Sequence, residues 1–283
     1  MPHAAPRRLL AFALALLGVL AACVAWAWVR TANIDVGVLA RHDPGTTALM
    51  RQRAREAADA GRPWRPQRHW VPYERISPHL RRAVLIAEDD AFFSHDGLDW
   101  NEIQASARKD LATGRIARGG STITQQLAKN LWLSTSRSPL RKLEEVFLAL
   151  RLERALGKKR IFELYLNVIE WGDGVFGADA AARRWFGTSA GALDARQSVR
   201  LAAVIINPRR FSPLEPPRRI ERRVRIIAGR MRRRGELSEE DWRAVIGLPP
   251  ATPAPAVDTT TAPSGGDSTP PDSIPPDTAG AGR

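Results

Sequence analysis

The chain has 283 residues, with 43 Lys and Arg against 30 Asp and Glu, and a single cysteine, Cys23. One thiol excludes a disulfide framework and a four-ligand zinc site, and a basic-then-apolar start and a Pro/Thr/Ser/Asp-rich end must be set aside before domains are counted. Residues 30–249 remain, 220 positions with 40 basic and 26 acidic side chains. That is enough chain for one large core, and a net charge of +14 asks for an anionic partner: nucleic acid, an anionic lipid surface or a phosphorylated substrate.

From Leu9 to Val29 run 21 residues without a charge, preceded by Arg7 and Arg8 and closed by Arg30. At 1.5 Å per residue such a helix spans roughly 30 Å, the hydrocarbon thickness of a bilayer, and Trp26 and Trp28 fall where an interfacial aromatic belt belongs. Residues 1–30 are therefore expected to form a cytoplasmic stub and a single transmembrane anchor, with the folded core on the far side. A cleaved signal peptide is the alternative, as is lipidation of Cys23 in the Leu20-Ala21-Ala22-Cys23 box, but the apolar run continues past Cys23. Residues 31–69, rich in Arg and carrying Trp64, read as a basic juxtamembrane connector, either lying on the membrane or solvated. Residues 70–249 read as the domain, and residues 250–283 lack the apolar side chains to build a core and read as a disordered tail.

Within the domain the periodicity is helical. Leu80, Val84, Ala87 and Ala91 recur at three- and four-residue steps, as do Leu143, Val146, Phe147 and Leu150, then Ile161, Leu164, Tyr165, Val168 and Ile169. No alternating run competes, so the domain is expected to be mainly α, with loops at residues 172–177 and around 207–217.

Several runs carry candidate chemistry. In Glu88-Asp89-Asp90-Ala91-Phe92-Phe93-Ser94-His95, Glu88 follows Leu80, Val84 and Ala87 on one helical face. Desolvation there would raise its proton affinity toward the range useful for proton transfer, although an ordinary acidic helix end with a hydrogen-bonded His95 reads equally from this motif alone. In Gly119-Gly120-Ser121-Thr122-Ile123-Thr124-Gln125-Gln126-Leu127-Ala128-Lys129, Thr122 and Gln125 have capping-box spacing. A helix start favours phosphate, and Thr122, Gln126 and Lys129 share a face. In Arg141-Lys142-Leu143-Glu144-Glu145 a second carboxylate, Glu145, is bracketed by two cations that would hold it ionised. Two carboxylates with divergent proton affinities suit sugar chemistry. Glu163 and Asn167, in the following Lys158–Asn167 run, are placed to brace the site, and Asn207-Pro208 ends an apolar helix where a stop is expected.

These five runs, in this order, resemble the glycosyltransferase family 51 domain of peptidoglycan polymerases. With one anchor and Asn167-Val-Ile-Glu-Trp-Gly-Asp-Gly-Val-Phe-Gly177 after the fourth run, the resemblance is closest to the monofunctional biosynthetic peptidoglycan transglycosylases. It implies a mainly α, lysozyme-like fold with head and jaw lobes behind the transmembrane helix, at the bacterial inner membrane with the domain on the periplasmic side. It implies that Glu88 is the general base that activates the 4-hydroxyl of an acceptor lipid II. Glu145 would assist at the donor side, directly or through a divalent cation, Mg or Mn. The leaving undecaprenyl pyrophosphate would be held by Lys129, Arg137 and Arg141 with Thr122 and Gln126. Asp89, Phe92, His95, Ser121, Gln125, Lys142 and Asn207 complete the expected substrate-binding set. Expected partners are lipid II, the growing glycan chain and membrane lipid, with cell-wall synthesis or division proteins as further candidates and no nucleic acid. Glu144 and Ile206 depart from the residues that some relatives carry beside Glu145 and Asn207.

Two rival readings remain at this stage. A lytic enzyme on a lysozyme-like fold would cleave the same glycan with one carboxylate, but would have no use for the Lys129/Arg137/Arg141 cluster. A tethered module that only binds a polyanion would not depend on Glu88.

Overall fold

Residues 4–114, 120–136 and 138–250 are described by a computed structural model. Helices dominate, as the periodicity requires. Among these residues the departure from the all-helical reading is a small sheet whose strands are two or three residues long, too short to leave an alternating pattern. In it β1 (Gln67–Arg68) pairs in parallel with β3 (Val175–Phe176), which pairs antiparallel with β2 (Glu170–Gly172).

The first helix, α1 (Ala4–Ala32), contains a span, Leu9–Ala32, long and apolar enough to cross a membrane. Most of its large side chains are exposed, whereas Ala27 and Thr31 are buried where the end of the helix packs on α6 (Pro139–Ala155). The expected connector is partly folded into the domain. It carries α2 (Ala48–Asp59), started by Thr47, whose hydroxyl accepts the Met50 N–H at 3.2 Å. Leu49 and Met50 are buried, and α2 packs on α5 (Ile123–Trp132).

Two polar side chains, one buried and one half-buried, fix the approach to α3 (Pro78–Glu88). Asn167, at the end of α7 (Lys158–Val168), accepts the Val71 N–H at 3.0 Å and donates to the carbonyls of Val71 and Glu163, both at 2.9 Å. Glu163 accepts the Tyr73 N–H at 2.8 Å. These bonds satisfy backbone groups that no strand partners, and they hold residues 71–73 against α7. The chain then turns back at Gly177, whose φ of +87° and 2.9 Å separation between an added Cβ and the Asn167 carbonyl exclude any side chain.

Helix α3 buries Leu80, Ala83 and Val84 against α9 (Ala195–Val204) and α10 (Arg218–Arg233). It stops at Glu88, earlier than the run to Ala91 suggests, because Asp89 leaves helical geometry (φ −164°, ψ 82°) and bonds elsewhere. An aromatic cluster fills the centre, with Phe92 and Phe162 5.7 Å apart between ring centres and Tyr165 fully buried beside them. Helix α6 differs from the expected pattern. Its buried positions are Glu144, Glu145, Leu148, Ala149 and Leu152, while Leu143, Val146, Phe147 and Leu150 are only half-buried. A helix between two neighbours, α5 on one side and α1 on another, has no single apolar stripe. The remaining helices are α4 (Trp100–Thr113), α8 (Ala178–Phe186) and α11 (Glu239–Ile246).

Candidate active site

A cleft of about 630 Å³ opens where α3 ends, lined by Glu88, Asp89, Ser121, Thr122, Arg223 and Arg230 among others. Glu88 is the last residue of α3, and its side chain is 12% exposed. One carboxylate oxygen accepts from Arg223 Nη2 at 2.6 Å and the other from Gln126 Nε2 at 3.1 Å. Burial pushes the Glu88 carboxyl above its ordinary range. Arg223, Gln126 and Lys129 pull it the other way, and neighbouring Asp89 adds to the rise. The result is a carboxylate that accepts a proton more readily than a surface glutamate does.

The orientation of Gln126 is set from behind. The Tyr165 hydroxyl donates to Gln126 Oε1 at 3.1 Å, and burial keeps that phenol protonated by pushing it well above its ordinary range. The Gln126 NH₂ therefore faces Glu88. Three residues on, Lys129 shares this face of α5. Burial lowers its proton affinity, Arg141 and Lys142 lower it further, and Glu145 and Glu88 oppose the fall. No hydrogen bond or ion pair among the described residues holds its ammonium, so an incoming anion would meet it unpaired. Helix α5 is started by the capping box of Thr122 and Gln125, with each side chain bonded to the other's N–H.

Glu145 lies on α6 with its side chain 3% exposed. Arg141 holds one oxygen at 2.5 Å and Lys142 holds the other. Lys142 also donates to Ser121 Oγ at 2.9 Å and to Gln125 Oε1 at 3.3 Å, which ties α6 to the start of α5. Glu88, Gln126, Lys129, Arg141, Lys142 and Glu145 thus form one connected polar group, while Ser121 and Thr122 line the cleft.

Other residues of the expected substrate-binding set serve the fold. Asp89 accepts the Ile123 N–H at 2.9 Å and bonds His95 Nε2 at 3.0 Å, and His95 Nδ1 accepts the Gly97 N–H. The acidic helix end is thus a clamp on the start of α5. Phe92 is a core residue with no exposed surface, because the 3₁₀ turn Phe92–Ser94 folds it inward onto Phe162. Gln125 is buried and used by its capping box. Asn207 is exposed in a turn where its carbonyl accepts the N–H groups of Arg210 and Phe211, and it does not line the cleft. Arg137 lies outside the described residues.

Arg223 was not among the expected residues, yet it touches Glu88 directly. Its signal was present in α10, where Ile220, Val224, Ile227 and Met231 form the buried stripe and Arg223, three residues after Ile220, sits on that stripe. Among so many arginines the one on the apolar face is the informative one. A protein-built metal site does not fit the cleft. Both Glu145 oxygens are occupied by cations, and no three His, Cys, Asp or Glu side chains converge among the described residues.

Comparison with known proteins is consistent with this arrangement. Residues 56–232 match the family model described as Transglycosylase. A biosynthetic peptidoglycan transglycosylase of Methylobacillus flagellatus is 52% identical over 192 residues, covering 68% of this chain and 83% of the relative. One from Chromobacterium violaceum is 48% identical, covering 67% and 83%, and one from Azoarcus sp. is 46% identical over 224 residues, covering 79% and 92%. With the family model spanning the cleft and its carboxylates, and with relatives matched over most of their length, the chain belongs to the transglycosylase family.

Proposed function

We propose that the chain polymerises lipid II into β-1,4-linked glycan strands of peptidoglycan, with inversion at the donor sugar and release of undecaprenyl pyrophosphate. The relatives named biosynthetic peptidoglycan transglycosylase support glycan synthesis. One observation carries the mechanism: two buried carboxylates linked electrostatically through Lys129 have different surroundings, Glu88 at the cleft with raised proton affinity and Glu145 paired with two cations.

Glu88 takes the proton of the acceptor 4-hydroxyl as that oxygen bonds to the donor anomeric carbon. The bond from that carbon to the pyrophosphate oxygen breaks, and its electron pair leaves with the pyrophosphate. Gln126 and Arg223 hold the Glu88 carboxylate in position. Lys129, Arg141 and Lys142 stabilise the charge that grows on the leaving group, as preorganised cations do in a water-poor site. An arriving pyrophosphate also favours the charged form of Lys129. Helix α1 supports a single-pass anchor in the bacterial inner membrane with the domain on the periplasmic side, where a lipid-linked substrate is presented. Glycan cleavage has no observation in its favour, since expulsion of a neutral sugar gains nothing from this cation cluster.

Incubation of the detergent-solubilised chain with purified lipid II, following both polymer and undecaprenyl pyrophosphate, tests the proposal. The parent is expected to make long strands, and Glu88→Gln is expected to lose about 10²–10⁴-fold in kcat, the usual contribution of a general base. Shortening of pre-formed strands without polymer formation would overturn it.

A further inference from the structure

We infer that Arg30, at the end of the membrane anchor, is a positioning residue for the donor half of the cleft, acting through an ion pair with Glu144 on α6. The inference rests on the function proposed above and adds a dependence of turnover on the anchor's own side chains.

Three contacts join the end of α1 to one face of α6. Arg30 Nε meets Glu144 Oε1 at 3.3 Å, the Trp28 and Phe147 rings pack edge to face at 5.8 Å, and Arg151 donates to the carbonyls of Thr31 and Ile34, the latter at 2.5 Å. Glu144, Phe147 and Arg151 are spaced i, i+3 and i+7, so they form one stripe along the helix. The neighbouring stripe, offset by one residue, carries Arg141, Glu145, Leu148 and Leu152. Helix α6 is thus a short bar with the anchor on one face and the candidate site on the next.

Arg151 adds a second donor to the Thr31 carbonyl, which already accepts the Ile34 N–H at 3.1 Å, and one to the Ile34 carbonyl just past α1, which fixes the anchor at that point. The Arg30 contact acts differently. Glu144 is 7% exposed and adjacent in sequence to Glu145, so two buried carboxylates sit side by side. Arg141 and Lys142 are committed to Glu145, leaving Arg30 as the cation that meets Glu144 among the described residues. Without Arg30, Arg141, three residues before Glu144 on α6, becomes the cation within helical reach, and a shift toward Glu144 would draw it from Glu145. Arg30 also closes the apolar run, is 65% exposed and stands with its guanidinium over the Trp26 ring at 5.7 Å, a placement suited to headgroup level. The ion pair therefore sets how α6 sits relative to the membrane surface that delivers the lipid-linked donor.

The test uses the full chain in lipid nanodiscs with purified lipid II, comparing Arg30→Glu, Arg30→Lys and the charge-swapped Arg30→Glu/Glu144→Arg. Arg30→Glu is expected to lose at least tenfold in kcat with KM within about twofold. Arg30→Lys is expected to keep most of the turnover, and the charge swap to recover to within about threefold of the parent. Amide exchange of residues 140–147 reads the coupling without substrate. It should speed up at least fivefold in Arg30→Glu and return to the parent rate in the swap. Arg30→Gln, which adds no repulsive charge, keeps the comparison readable if Arg30→Glu folds poorly. Parent-like kcat in both Arg30→Glu and Arg30→Gln, or a swap no better than Arg30→Glu alone, would overturn the inference. So would a loss confined to KM, which is the signature of weakened membrane capture alone. A parent inert on lipid II would sink the proposed function instead, and the exchange data would then decide the coupling by themselves.

Discussion

Replacing Asp89 by Ala separates a clamp on the fold from a substrate ligand. Asp89 is buried and receives two donors, the Ile123 N–H at 2.9 Å and His95 Nε2 at 3.0 Å. Hydrogen bonds to charged groups contribute about 1.5–3 kcal/mol each, and the orphaned donors keep their desolvation cost. Two such bonds give a loss of roughly 3–6 kcal/mol, a large share of the 5–15 kcal/mol typical of a folded domain. At about 2–4 °C per kcal/mol for a domain of this size, the melting temperature should fall by roughly 6–24 °C. The assay is thermal unfolding of the detergent-solubilised chain, together with KM for lipid II measured well below the variant's melting point. The reasoning requires a large thermal shift with KM within about threefold of the parent. Unchanged stability with KM raised tenfold or more would show that Asp89 meets substrate, and the assignment of Asp89 and His95 to the fold would fall.

Two further outcomes follow from the surroundings of Glu88. Arg223 opposes the burial that raises the Glu88 proton affinity, so Arg223→Gln should move the acid limb of the kcat/KM–pH profile to higher pH, while an unmoved limb would mean that another group sets it. The raised Glu88 also makes its ionisation costly in the folded state, so this group's contribution to stability is greatest below the pH at which an unfolded glutamate ionises and is lost as pH rises through the folded pKa. Glu88→Gln, uncharged at every pH, should lack that fall and be more stable than the parent at neutral pH. Equal parent and variant stabilities from pH 4 to pH 8 would refute the sign of the shift.

Legibility in the sequence followed the range of the interactions. The start of helix α5 was readable to the residue, because its Thr122–Gln125 capping box is local chemistry. The pairing of Glu145 with Arg141 and Lys142 was readable for the same reason, since three- and four-residue spacing on a helix makes neighbours. The sheet was not, because β1 and β3 are joined across more than 100 residues and each contributes two residues to the pairing. Asp89, which lines the cleft, misled as to its second role, the clamp on the start of α5. A carboxylate beside a candidate base looks functional in sequence, and only the path of the chain brings Ile123 N–H and His95 onto it. Phe92 misled in the same way, since its inward turn depends on the 3₁₀ geometry that follows α3. The contact between Arg223 and Glu88 joins residues 135 apart, and only the buried stripe of α10 hinted at it.

The chemistry of the cleft turns on keeping two carboxylates unequal. Burial at the end of α3 raises the proton affinity of Glu88 toward the range in which it can draw a proton from a sugar hydroxyl, while Arg141 and Lys142 hold the two oxygens of Glu145. Lys129 stands between the two, in electrostatic contact with both and committed to neither. Before a substrate arrives, its desolvated ammonium is costly. As a pyrophosphate gains charge in the transition state, that cost is offset at the place where the negative charge develops. The inequality is built from burial at the end of α3, a capped start to α5, and a cation pair on α6. Each is an ordinary structural device, and their convergence makes the cleft suited to inverting glycosyl transfer from a phosphorylated donor.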